Sequence, residues 1–178
     1  MQTPIFLSCP KPFLKCQEVF LEELEKHLEM RDLRPMTLGR TEYSLDAPLE
    51  AIRRLMASSF GLLCIAFRRT HIEKGLDRPG SDLLEVQTER SNTWLTSPYC
   101  QIEPAMAYQI GLPILIWRES GVIADGLLDR GAVGLALPEF DLDSPPNLQN
   151  AQWSHPLQDW IDRVRSAHRL SGKAPQLW

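Results

Sequence analysis

The chain is poor in cysteine and shows no cysteine pattern. Its four, Cys9, Cys16, Cys64 and Cys100, make no C-x-x-C and pair with no histidine at metal-ligand spacing. A zinc site and a disulfide framework are therefore not expected, and free thiols in a reducing cytoplasm are. Long apolar runs are missing too; none approaches the ~20 residues of a membrane helix. No basic segment precedes the first apolar run, so a secretory leader is not expected and a cytoplasmic location is. With a net charge of -4 over 178 residues and scattered arginines, nucleic acid is not an expected partner. The phosphate-binding glycine motifs G-x-G-x-x-G and G-x-x-x-x-G-K-[ST] do not occur. Neither does the nucleophile elbow G-x-S-x-G. The histidines, His27, His71, His155 and His168, form no recognisable arrangement with a serine or a cysteine.

What is present is an alternation of strands and helices. Residues 4–8 read as a buried strand, ended by Cys9-Pro10-Lys11-Pro12. Phe13, Cys16, Phe20, Leu24 and Leu28 then recur at helical spacing opposite a charged face, and Pro12 suits that helix's first turn. Residues 33–38 read as a short strand whose internal proline places it at a sheet edge. Asp46 is the expected N-cap of a helix carrying Leu49, Ile52, Leu55 and Met56. Residues 62–67 lack polar alternation and read as a strand buried on both faces, as in a parallel sheet. After a long polar connection come a helix around 98–110 and a strand at 113–117. A short helix near Leu127-Leu128, a strand at 133–137, a surface wrap at 138–152 and a closing helix after Ser154 complete the chain. This pattern predicts a three-layer α/β domain over 1–170 with an insertion at about 68–96 and a flexible tail at 171–178.

In a parallel α/β sheet, ligands bind beyond the carboxyl ends of the strands, where the strand order reverses. If the strands at 4–8 and 62–67 are neighbours, the segments after them meet there, and the loop entering the 98–110 helix closes the same mouth. Glu103 then falls at the site. A lone carboxylate in a cleft suits chemistry at a sugar C1 centre, where it can stabilise or attack an oxocarbenium-like carbon. A leaving group that departs from a cationic state, such as nicotinamide, needs no acid, so one glutamate is enough. The plainer alternative is a glutamate favoured by the positive end of a helix.

Ser97-Pro98-Tyr99-Cys100-Gln101-Ile102-Glu103 resembles the S-x-W-C-x-x-E signature of TIR domains, with Tyr99 where the family usually has tryptophan. Residues 45–67 are similar to the TIR pattern of a helix leading through I-x-x-S, here Ile52 and a position near Ser58, to a strand at Leu62-Leu63-Cys64-Ile65. Residues 107–116 match its run of small residue, glycine, proline and apolar strand. The resemblance covers roughly 4–137. It implies a flavodoxin-like five-stranded parallel sheet of order 2-1-3-4-5, with Glu103 at the position of the catalytic glutamate. It further implies NAD as a substrate, with no resident cofactor, cleaved at the nicotinamide–ribose bond to ADP-ribose or a cyclised signal.

A bacterial role in antiviral defence or nucleotide signalling follows from the same resemblance, as does action as a homo-oligomer or with a separate partner protein. Ser8, Lys11 and Arg68 are candidate phosphate contacts, Arg68 through its fork of donors. Tyr43, Trp94 and Tyr99 are candidate stacking residues. Pro104 disfavours the helical conformation at Glu103 and removes one N–H, which predicts a helix that begins or kinks there. Two other readings stand beside this one. The first is a nucleoside 2-deoxyribosyltransferase-like N-glycosidase, in the same superfamily. The second is a non-catalytic TIR-like module that binds a partner or a nucleotide signal.

Overall fold

The computed structural model describes residues 2–129, 132, 135–136 and 139–170. The chain begins with β1 (Thr3–Ser8), α1 (Lys15–Glu29), β2 (Leu33–Met36), α2 (Pro48–Ala57) and β3 (Leu62–Ala66). It continues through β4 (Thr70–Asp77), β5 (Thr88–Leu95), α3 (Tyr99–Gln109), β6 (Ile114–Arg118), a single 3-10 turn (Gly126–Leu128), β7 (Leu135–Ala136) and α4 (Ala151–Arg169).

Five strands form one parallel sheet in the order β2-β1-β3-β6-β7. With β4 and β5 set aside, this is the flavodoxin-like order 2-1-3-4-5. Four strands carry the sheet, and β7 adds only two residues at one edge. The expected strand at 133–137 is seen at Leu135–Ala136; the rest of that stretch, other than these two, lies outside the described residues, as does the tail at 171–178. The proline-bearing β2 sits at the other edge, where Pro35 interrupts no central ladder.

The parity of the strands sorts the core into two layers. Ile5, Leu7, Leu63, Ile65, Leu115 and Trp117 face α1 and α4. Phe6, Leu62, Cys64, Ala66, Ile114 and Ile116 face α2 and α3. This is why the central strands show no polar alternation: both of their faces are inside. Each leucine, isoleucine or phenylalanine among them contributes about 1.5–3 kcal/mol relative to exposure.

Several local expectations need correction. Helix α1 starts at Lys15, so Pro12 precedes it, and Phe13 and Cys16 are exposed. Gln17 and Leu21 occupy the buried face instead, with Phe20, Leu24 and Leu28. Ala47, not Asp46, is the N-cap of α2, because Pro48 fixes the first helical position. Asp46 accepts from Ser44 and pairs with Arg54. Helix α4 starts at Ala151, before Ser154. Helix α3 starts at Tyr99 and runs through Pro104, which sits inside it; it neither begins at Glu103 nor stops there.

The long connection is an antiparallel hairpin, with Thr70 opposite Leu95 and Asp77 opposite Thr88. Both of its faces are largely solvated. The strands therefore carry polar residues on both sides and lack the period-two pattern that marks a half-buried strand.

Candidate active site at the carboxyl ends of β1 and β3

The strand order reverses between β1 and β3, and a cavity of about 380 Å³ opens beyond their carboxyl ends. Cys9, Pro10 and Lys11 come to it from the end of β1, Leu38 from beyond β2, and Arg69 from beyond β3. Pro48 and Ile52 of α2 form an apolar wall; Ser97, Tyr99 and Glu103 come from the start of α3. Among the described residues, no group of three or more histidine, cysteine or acidic side chains could hold a metal ion.

Glu103 is the one carboxylate among these lining residues and is 7% exposed. Burial pushes its carboxyl up from 4.5 to about 7, because an apolar surrounding penalises the charged form. The Ser8 hydroxyl opposes that shift. Ser8 is 1% exposed and lies behind the lining residues; its Oγ makes no hydrogen bond of regular geometry. It is a buried hydroxyl that a second polar group could satisfy.

Two side chains hold α3 at this angle. Pro104 has no N–H to give to the carbonyl of Cys100 one turn earlier. The Cys64 thiol, on β3, donates to that carbonyl at 3.8 Å. Thr96 Oγ1 donates to Cys100 Sγ at 3.6 Å on the other side. The proline therefore stays within the helix while the strand supplies a replacement donor, and Glu103 keeps its place on the cavity side.

Lys11 and Arg69 are both exposed at the cavity, and neither side chain has a hydrogen bond or ion pair among the described residues. Two unshared positive charges thus stand at the mouth of a site whose one acid is Glu103. Cys9 also lines the cavity, but burial pushes its thiol well above the ordinary range. It stays protonated and is no nucleophile.

Of the seven residues singled out in the sequence, Lys11, Tyr99 and Glu103 line the cavity and Ser8 lies directly behind it. Arg68, Trp94 and Tyr43 do not line it. The Arg68 guanidinium donates to the carbonyl of Ser120 at 2.5 Å and lies over the Trp94 ring, 5.8 Å from its centre. Trp94 is engaged at the hairpin base, its ring against His71. Tyr43 is 80% exposed on the loop before α2. The exchange of Arg68 for Arg69 has a specific cause. Beyond the three-residue turn that ends β3, in which Phe67 N–H bonds the carbonyl of Ile65 at 3.1 Å, the Arg68 side chain is drawn to Ser120 and Trp94, and Arg69 lines the cavity. Arg69 is a functional candidate that the sequence reading passed over in favour of its neighbour Arg68.

The loop beyond β2 is anchored from α1. The Arg40 fork donates twice to Glu25, at 2.8 and 2.9 Å, and once to Glu18 at 2.7 Å. This fixes the turn after Leu38, one of the cavity's apolar walls.

No family model matches the chain, and no curated protein matches it. Two solved structures follow a similar path. One is a diflavin flavoprotein A3 (all3895) from Nostoc sp., at 10% identity and TM-score 0.46, over 95% of this chain and 94% of that one. The other is the set of TIR domains in the activated Roq1 resistosome directly recognising the pathogen effector XopQ. It matches at 10% identity and TM-score 0.41, over 96% of this chain and 86% of that one. Likenesses of this size do not bear on activity.

Proposed function

We propose that the chain is a TIR-like N-glycosidase that cleaves NAD at the nicotinamide–ribose bond, with Glu103 as the catalytic carboxylate. The observation that carries this reading is the buried Glu103 carboxyl in a cavity that also holds two unshared cations, Lys11 and Arg69. Lys11 and Arg69 suit the diphosphate, and the apolar wall with Tyr99 suits a planar ring.

The reaction balances without a resident cofactor. The bond from ribose C1 to the nicotinamide nitrogen breaks, and its electron pair leaves with the ring, which becomes neutral. The ionised Glu103 stabilises the positive charge that develops at C1. Water then adds to C1 and gives up a proton, yielding ADP-ribose; capture by a nitrogen of the substrate's own adenine would yield a cyclic product instead. The cationic nicotinamide ring, once bound, favours the ionised form of Glu103 and so draws its pKa back down. Substrate binding and activation of the carboxylate are thereby coupled.

A second reading draws on the same raised pKa. A carboxyl near 7 can also act as a general acid, which suits an N-glycosidase acting on a nucleotide with a neutral base, as in the deoxyribosyltransferase-like alternative. The two cations favour a phosphorylated substrate over a free nucleoside in either case. Among the described residues no helix is long and apolar enough to cross a membrane. A cytoplasmic role in antiviral defence or nucleotide signalling, with assembly into a homo-oligomer or onto a partner protein, belongs to this proposal through the TIR resemblance alone.

The test is incubation of the purified protein with NAD and chromatography for nicotinamide and ADP-ribose species. Nicotinamide release that disappears in a folded Glu103→Gln chain is expected. Release that persists in that variant would sink the reading.

A further inference from the structure

Gln17 is fully buried, on α1, away from the cavity it serves. Its amide uses every hydrogen-bonding position it has. Oε1 accepts from the backbone N–H groups of Phe13, at 3.2 Å, and Leu14, at 3.4 Å. Nε2 donates to the carbonyl of Arg68 at 3.1 Å and to Glu119 Oε2 at 3.3 Å. An amide has two acceptor sites and two donors, so it is satisfied in full.

Those partners are the two approaches to the cavity. Phe13 and Leu14 close the segment that carries Lys11. The Arg68 carbonyl belongs to the peptide that leads into Arg69. The other polar atom of that peptide, Arg69 N–H, donates to the Leu95 carbonyl at 2.9 Å. The peptide plane is thus held at both ends, and with it the direction in which Arg69 leaves the backbone. Glu119 adds a third tie: 2% exposed, it accepts from Arg68 N–H at 2.8 Å. A single buried amide therefore links the backbones behind both cavity cations.

We propose that Gln17 is a positioning residue that holds Lys11 and Arg69 at one spacing, as a paired anion subsite for a diphosphate group. This rests on the nucleotide reading of the cavity. The subsite is the part of the cavity that Lys11 and Arg69 line, and Glu103, which lines the same cavity, serves the sugar carbon. Gln17 touches no ligand and acts only through these two backbones.

The arms of the amide can be separated. Gln17→Glu keeps an oxygen acceptor for Phe13 and Leu14 but loses both donors, so it releases the Arg69 side alone. Binding of inorganic pyrophosphate, followed by calorimetry at low salt, reads the subsite without any need for NAD cleavage. Loss of one cation contact is expected to weaken binding roughly tenfold. Gln17→Glu is expected to weaken it in the wild-type and Lys11→Ala backgrounds, and to add nothing in the Arg69→Ala background.

An equal further loss in both backgrounds would mark a general structural defect and overturn the proposal. So would a wild-type chain that does not bind pyrophosphate. Because Gln17→Glu sets a second carboxylate against Glu119, Gln17→Met is the second variant. It drops both arms without adding charge, and a folded Gln17→Met chain that binds pyrophosphate like the wild type also overturns the proposal. With NAD, Gln17→Met is expected to raise KM and leave kcat nearly unchanged. A wild type that binds pyrophosphate yet leaves NAD intact removes the glycosidase reading and supports the subsite.

Discussion

The thiol of Cys64 donates to the backbone carbonyl of Cys100 at 3.8 Å, across from β3 to α3. That carbonyl has no helical donor because Pro104 stands four residues on. Interaction with the Cys100 side chain and complete burial both keep the Cys64 thiol protonated, well above its ordinary pKa. It therefore remains a donor at any physiological pH. Cys64→Ala should leave a buried carbonyl unsatisfied and cost about 1–3 kcal/mol, read as a lowered urea midpoint. Cys64→Ser, which keeps an O–H donor, should cost less; a Ser variant no better than Ala would show that the thiol's hydrogen bond has no weight.

Thiol accessibility gives an independent check on the same region. Cys16 is exposed, Cys64 and Cys100 are buried, and burial holds the Cys9 thiol protonated. Mass spectrometry after brief alkylation of the folded protein at pH 8 should find one rapidly modified cysteine, Cys16. Equal labelling of Cys100 would mean that α3 does not pack as described.

The raised Glu103 pKa predicts a stability profile of definite sign. Its folded value lies above the unfolded one, at about 7 against 4.5. The carboxyl's favourable contribution is therefore fully present below 4.5 and is lost as pH rises through about 7. The full loss is about 3 kcal/mol. Glu103→Gln should be the more stable protein at pH 8, with the difference shrinking towards pH 5 in parallel thermal melts.

Catalysis should follow the opposite limb. If the ionised carboxylate stabilises the sugar cation, kcat/KM for NAD rises with pH through about 7 and then levels. A fall through the same range would favour Glu103 as a general acid.

The two arginines beyond β3 should separate cleanly. Arg69→Ala removes a cavity cation and should raise KM for NAD roughly tenfold, more at low salt than at high. Arg68→Ala should act mainly on stability, since its guanidinium ties Ser120 and Trp94 at the hairpin base. Steady-state kinetics beside thermal melts would distinguish them, and equal KM effects would contradict the geometry.

The central strands were legible because burial on both faces leaves a mark on each residue type; the edge position of β2 was legible from its internal proline, and the sheet order came only with the TIR resemblance. Residues 62–66 are apolar without a break because two helical layers cover them. Glu103 stood out because no rival motif competes with it. Arg69 did not, since only the contacts of Arg68 with Ser120 and Trp94 in the folded chain separate two adjacent arginines that look alike in the sequence. Gln17 was hidden for a similar reason. On a helical wheel it looks like a polar residue misplaced on an apolar face, and only its partners from distant segments explain it.

The bond between Arg69 N–H and the Leu95 carbonyl closes the hairpin at its base. To the sheet and its helices, residues 70–95 therefore leave and return at one point. Their length is decoupled from the path between β3 and α3, so insertions or deletions at the hairpin's tip change no register in the core. The hairpin can diversify while the framework that aims Glu103 stays fixed.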